Sequence, residues 1–265
     1  MPATEHALRA PVVQGSVETM RWITAFLDLP SAGFDRTVRF WRDVTGYGIS
    51  STRGERDEFA TLLPVAGESH LRVQRLHDGA PRVHLDLHVD DVAEAADRAV
   101  RRGARRAHSP HGSVATLSSP GGQTFCFVPH HGGGRARPGA WPGGHTSLVD
   151  QVCLDIPQQH HAAELRFWHD LTGWQLRRST TAEEFHHLVR PEGMPIRLLL
   201  QRLGETAGGV RAHLDLATTD RDAETSRHER LGADVVDTHQ HWTVLADPAG
   251  SPYCITDRNP ESGLL

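Results

Sequence analysis

The sequence predicts an α+β protein of four βαβββ modules, arranged as two tandem domains with curved mixed sheets. Three observations predict it: an internal repeat, strands whose two faces are used differently, and one amphipathic helix per module. Trp41-Arg-Asp-Val-Thr-Gly-Tyr47 recurs as Trp168-His-Asp-Leu-Thr-Gly-Trp174, and Gln74-Arg-Leu76 recurs as Gln201-Arg-Leu203; 168 − 41 and 201 − 74 both give 127. His84-Leu-Asp-Leu87 returns as His213-Leu-Asp-Leu216, and Pro120-Gly-Gly122 with Cys126 returns as Pro248-Ala-Gly250 with Cys254. Landmarks in one order at nearly one spacing mark a duplication.

Within the first copy, Arg21 to Leu29 alternates. Ile23, Ala25, Leu27 and Leu29 fall on one side, and Thr24, Phe26 and Asp28 on the other, as in a strand with two unlike faces. Pro30 and Ser31 open a helix in which Phe34, Val38 and Trp41 form an apolar stripe, and Gly46 closes it. Strand patterns follow at Tyr47 to Thr52, Glu58 to Pro64 and His70 to Leu76. A second round runs from a strand at Val83 to Val89 through a helix at Asp91 to Arg102 to a closing strand at Thr124 to Val128. The second copy repeats the scheme with strands at Asp150 to Ile156, Ala212 to Ala217 and Pro252 to Thr256, and with helices ending near Gly173 and at Gly232. One helix per module covers one face of each sheet and leaves the other face for a cavity. The expected organisation is a flexible leader over 1–20, domains over 21–130 and 148–258, a Gly/Pro-rich linker over 131–147 and a tail over 259–265. With that linker between them, the modules are expected to pair within each copy.

Composition narrows the function. Among 265 residues, 38% are hydrophobic and 23% charged, an ordinary globular balance, and the net charge of -5 argues against nucleic acid as a partner. Arg101, Arg102, Arg105 and Arg106 are the one dense basic cluster, placed where cations offset the carbonyl end of a helix. No run of about 20 apolar residues would span a membrane, and the first residues lack the apolar core of a signal peptide, so a cytoplasmic protein is expected, a monomer or homodimer. Cys126, Cys153 and Cys254 are too scattered for a disulfide framework and are expected to be free thiols. The chain has no lysine, which removes Schiff-base chemistry and the phosphate-binding lysine loop. Its 19 histidines leave metal and acid-base chemistry open.

The helix ending in Thr-Gly before an aromatic, the Gln-Arg-Leu strand, the His-Leu-Asp-Leu strand and the Pro-Gly-Gly or Pro-Ala-Gly turn before Phe-Cys or Tyr-Cys together resemble the vicinal-oxygen-chelate superfamily of glyoxalases, bleomycin-resistance proteins and extradiol dioxygenases. Trp242 to Gly250 is the closest single stretch. The resemblance implies a small-molecule ligand or substrate in a curved-sheet cavity. It implies either a lyase, isomerase or dioxygenase using a divalent metal (Zn, Ni, Fe or Mn), or a metal-free protein that sequesters a drug or metabolite. In the family's enzymes the ion is held by His and Glu side chains. Carrying those positions over gives Thr24, Gln74, His84 and Cys126 in the first copy and Gln151, Gln201, His213 and Cys254 in the second. Only one histidine of each set survives, and the carboxylate positions are Gln and Cys, which weakens the case for a metal.

His84 is accordingly the candidate ligand or general base, with Asp86 two residues on as its orienting partner; His213 and Asp215 match them. A hydrogen-bonded structural histidine is the competing reading. Gln74, Gln201 and Gln151 either orient a polar ligand or satisfy backbone groups, and Cys126 and Cys254 are ligands or small buried residues. Phe26, Thr24 and Trp242 are candidate cavity linings, while Trp41 and Trp168 belong to the core. His88 lies on the His84 face where the second copy has Ala217, so if only one cavity is active the asymmetry favours the first. His186-His187 and His239-Gln-His241 read as solvated loop histidines.

Overall fold

A computed structural model describes residues 20–107, 113–130, 132–180 and 182–265; the expected leader over 1–20 lies outside them except for Met20. The first domain comprises β1 (Trp22–Pro30), α1 (Phe34–Thr45), β2 (Gly48–Ile49), β3 (Phe59–Leu63) and β4 (Leu71–Leu76), then β5 (Arg82–Val89), α2 (Val92–Arg101), β6 (Arg105–Arg106), β7 (Ala115–Ser118) and β8 (Thr124–Pro129). A short β9 (Gly139–Ala140) precedes the second domain. That domain runs β10 (Thr146–Ile156), α3 (Gln158–Thr172), β11 (Leu176–Arg178), β12 (Phe185–Leu188), β13 (Arg197–Arg202), β14 (Arg211–Thr218), α4 (Arg221–Leu231), β15 (Asp234–Thr238), β16 (Trp242–Ala246) and β17 (Pro252–Thr256).

Each copy is one mixed sheet in which its two modules lie side by side. The strand orders are β2-β3-β4-β1-β5-β8-β7-β6 and β11-β12-β13-β10-β14-β17-β16-β15, so the modules pair within a copy. Within a module the first and last strands are parallel, as in β1 with β4. Across the module boundary β1 meets β5 antiparallel. The helices begin and end for local reasons. Asp91 and Asp220 accept hydrogen bonds from Glu94 N and Ala223 N at the starts of α2 and α4, and Gly46, Gly173 and Gly232 close α1, α3 and α4 in left-handed conformations. The strand expected over Tyr47 to Thr52 is shorter, because the chain turns away through Gly54 and Asp57, both at positive φ, before β3.

The helix-bearing faces of the two sheets bury a single apolar cluster drawn from both domains. Each domain's first helix reaches across. Trp41 of α1 packs edge-on against Tyr253 of β17 at 5.1 Å and donates its indole N–H to Asp247 Oδ2 at 3.0 Å. Reciprocally, Trp168 of α3 lies 5.5 Å from Phe125 of β8 and donates to Glu164 Oε2 at 2.7 Å, while Glu164 Oε1 accepts from Gly121 N at 2.6 Å. Both tryptophans are core residues, as the helical stripe requires.

The Gly/Pro-rich connection between the domains makes specific contacts. Gly139 and Ala140 pair with Ser147 and Thr146, the Trp141 indole donates to Ser147 Oγ at 2.8 Å, and the Arg227 guanidinium stacks 3.5 Å over the Trp141 ring. One half-buried aromatic side chain, stacked against a cation, helps offset the chain entropy of the glycines around it. No helix among the described residues is long and apolar enough to cross a membrane. The three cysteines are buried free thiols.

Two outcomes test this packing. A Cβ on Gly121 would stand 2.5 Å from Val210 Cγ2 and 3.1 Å from Glu164 Oε1, so Gly121→Ala should destabilise the protein by about 1–3 kcal/mol in chemical denaturation through overpacking. The second concerns acid. The fully buried His70 forms a hydrogen bond from Nε2 to the Val149 carbonyl of the other domain at 2.8 Å, and burial lowers its pKa from 6.5 to about 4. The unfolded chain therefore takes up this proton first. Stability present above pH 6.5 should fall as the pH drops through about 4, by about 3 kcal/mol at most. Urea denaturation at pH 7.5 and 4.5 checks this, with His70→Gln expected to flatten the dependence.

Candidate functional site

The face of each sheet away from the helices carries the polar alternate residues of the central strands, and the two domains use it differently. In the first domain Phe26 sits between Arg72 of β4 and His84 of β5. Its ring stacks on the His84 imidazole at 4.5 Å, and the Arg72 guanidinium lies 5.7 Å above it. His84 Nδ1 donates to Asp28 Oδ1 at 2.8 Å, its Nε2 lies 3.8 Å from Asp86 Oδ1, and burial raises the pKa of Asp86. Burial likewise pushes the Cys126 thiol up to about 12. A cavity of about 390 Å³ in this domain is lined by Gln74 together with Ser31, Glu55 and Glu58, and none of His84, Asp86 or Cys126 lines it. Thr24 and His88 are buried and hydrogen-bonded to each other at 3.0 Å.

In the second domain the register places Cys153 where Phe26 stands, between Leu199, in place of Arg72, and His213. Those two exchanges remove a ring and a guanidinium, and a cavity of about 480 Å³ opens over the sheet. His213, Asp215, Gln151, Gln201, Cys153 and Cys254 line it, Phe185 and Trp242 form an aromatic wall edge to face at 5.7 Å, and Arg197 and Arg258 also reach it. The cavity lined by a His-x-Asp pair thus lies in the second domain, whereas the asymmetry at His88 pointed to the first as the active one if only one is active. The reason is that His88 is engaged with Thr24 while Phe26 covers His84.

His213 is the centre of a charged line. Its Nδ1 donates to Asp155 Oδ2 at 2.9 Å, and its Nε2 lies 3.3 Å from Asp215 Oδ1 and 3.5 Å from Cys254 Sγ. The Gln151 amide holds the other Asp215 oxygen. Burial works to lower the pKa of His213, but Asp155 and Asp215 by hydrogen bonding more than offset it, and the result lies well above 6.5. The two carboxylates carry that effect, because burial also pushes Cys153 up and keeps it a neutral thiol. Burial raises Cys254 as well.

Ring nitrogen, carboxylate oxygen and sulfur of His213, Asp215 and Cys254 lie within 4.8 Å of one another, and the same holds for Cys153, Asp155 and His213 and for His84, Asp86 and Cys126. Two features fit a metal at the first of these groups. Asp215 Oδ1 is buried with His213 Nε2, at 3.3 Å, as its polar neighbour, and Asp155 fixes the far nitrogen of His213 as a carboxylate behind a ligating imidazole does. Metal binding there would release the protons that His213 and Cys254 hold.

Of the residues singled out in the sequence, Gln151, Gln201, His213, Asp215, Trp242 and Cys254 come together around one cavity; Thr24, Phe26, His84, Asp86, His88 and Cys126 do not line the other, which takes only Gln74. Sequence reasoning missed Cys153, Phe185, His187, Leu199, Arg197, His241 and Arg258. His187 stands on β12 rather than in a loop, so the alternation Phe185-His186-His187-Leu188 was the available signal.

A protein with two such sheets and an open polar face is a glyoxalase-like one. The chain belongs to the glyoxalase-like domain family, whose model matches it twice, over residues 24–128 and 151–256. Among solved structures it is similar to a variant of 4-hydroxymandelate synthase from Streptomyces coelicolor, with 17% identity, a TM-score of 0.59, and 88% of this chain and 91% of that one covered. It is similar to 2,2',3-trihydroxybiphenyl 1,2-dioxygenase from Sphingomonas wittichii, with 17% identity, a TM-score of 0.58, and 91% and 90% covered. An extradiol ring-cleaving dioxygenase from B. fuscum gives 13% identity, a TM-score of 0.62, and 94% and 76% covered. No curated protein sequence matches the chain.

Proposed function

We propose that the second domain is the working site of a glyoxalase-type enzyme acting on a small oxygen-rich molecule, with the first domain as its structural partner. The observation that carries this reading is the cavity of about 480 Å³ lined by His213, Asp215 and Cys254. These three would hold a divalent metal, and the mixed nitrogen, oxygen and sulfur set suits zinc better than nickel, iron or manganese. When bound, the ion supplies a Lewis acid that polarises a ligand oxygen. Zinc has no redox chemistry, so this donor set favours a lyase or isomerase; iron would favour a dioxygenase.

The remaining work falls to the protein. Asp155 sets the tautomer and plane of His213, and Gln151 holds the Asp215 carboxylate in one orientation. Phe185 and Trp242 wall the cavity, which strengthens polar contacts inside it. Metal-free sequestration is the second reading, and the two carboxylates flanking His213, which raise its pKa, favour it.

Element analysis of untagged protein separates the two. Near-stoichiometric zinc is expected, lost in His213→Ala and retained in His84→Ala. Asp155→Asn should weaken metal affinity about 10- to 100-fold without displacing a ligand. A metal-free protein that still binds a small molecule would overturn the enzyme reading in favour of sequestration.

A further inference from the structure

We infer that the second-domain cavity selects a ligand bearing a carboxylate, recognised at Arg258, on an aromatic or apolar body. The inference rests on the reading of this cavity as the ligand site and adds the class of ligand.

Asp150 is fully buried, and two guanidinium groups converge on it. Arg258 Nη1 lies 2.9 and 3.1 Å from its two oxygens, and Arg197 Nε lies 3.4 Å from Oδ2. One carboxylate thus faces two cations, and two more, Arg135 and Arg190, are close. Burial, then repulsion by Arg135 and Arg197, brings Arg190 down to about 10. Main-chain carbonyls occupy several of these groups: Arg135 donates to Pro260 O and Glu261 O, Arg190 to Pro195 O, and Arg197 Nη2 to Ser262 O. Carbonyls satisfy donors but leave the charge uncompensated.

The excess positive charge borders the cavity, because Arg197 and Arg258 both line it. Arg258 is 8% exposed, yet its Nη2 has no hydrogen-bond partner among the described residues. A buried guanidinium donor left unpaired is costly, and an anionic ligand oxygen would complete it. A carboxylate is the matching group, since Arg258 keeps one nitrogen on Asp150 and has one to spare. Arg177, bonded to the neutral Gln175 amide, adds positive charge at the same cavity, which draws anions in, while Arg178 is paired with Glu183 at 3.3 Å. Leu199, Phe185 and Trp242 supply the apolar walls. Among its described residues the first domain has no such arrangement: Asp150 sits at a bulge of β10 that β1 lacks, and His130 stands where the second has Arg258.

The test is calorimetric titration of the full-length protein, as purified with its metal, using benzoate and phenylacetate against their neutral amides. The acids are expected to bind at least 10-fold more tightly than the amides. Arg258→Met should remove that preference with metal content unchanged, and Arg258→Lys should restore part of it. If Arg258→Met fails to fold, Asp150→Asn with Arg258→Met removes both partners and carries the same expectation. Equal affinity for acids and amides, no binding of either acid, or acid affinity unchanged by loss of Arg258 would each overturn the inference and leave the arginines as a clasp for residues 259–265. Metal present without acid preference sinks this inference alone. Acid preference without metal sinks the metal reading alone.

Discussion

The exchange of first helices between domains is the constraint on which the rest of the structure depends. Trp41 of α1 is finished by Asp247 and Tyr253 of the second domain, and Trp168 of α3 packs on Phe125 of the first while Glu164 takes the Gly121 amide. Arg227 of α4 adds a third tie, donating to the carbonyls of Asp43 and Val44 at the end of α1 while it stacks on Trp141. Because each sheet's apolar face is covered partly by the other copy's helix, neither domain buries its core alone. The helix-bearing faces are committed to stability, and only the opposite faces remain for chemistry.

Those two faces started from one pattern and hold the same buried motif, a histidine between two aspartates. In the first domain the motif lies beneath an aromatic ring: Phe26 stacks on His84, and Arg72 caps the stack while reaching toward Asp86 at 4.0 Å. In the second, Cys153 and Leu199 are too small to cover His213, and the same motif faces space. A ring and a guanidinium over a charged line stabilise it by packing; their removal trades that packing for access.

Much of the fold was legible because it rests on short-range patterns. Alternation placed β1, β5 and β17 nearly to the residue, Gly46, Gly173 and Gly232 ended three helices, and the repeat gave the module count. The candidate site was legible in part, since His213, Asp215, Gln151, Gln201 and Cys254 follow from position within a repeat. Which copy was open was not legible. That depends on which side chains face each other across strands far apart in sequence: Phe26 with Arg72 and His84 against Cys153 with Leu199 and His213. His88 misled for the same reason, because its partner Thr24 is a cross-strand neighbour rather than a sequence neighbour. The glycines of the linker likewise gave no sign that Trp141 would find Arg227.

The distribution of buried charge argues that the second face is kept for binding rather than for stability. Asp150, Asp215, His213 and Arg258 are all at least nine-tenths buried there, and Arg258 Nη2 is left without a hydrogen-bond partner among the described residues. Apolar side chains of similar volume would serve folding as well or better than buried ion pairs, and unpaired members of such pairs are a net loss. The shared core built by Trp41, Trp168, Phe125 and Tyr253 lies on the other side of the sheet, where β10 and β14 present Val149, Val152, Leu154, Leu214 and Leu216. On the proposed reading of this cavity as a ligand site, a molecule from outside the chain would supply the partner that Arg258 Nη2 lacks.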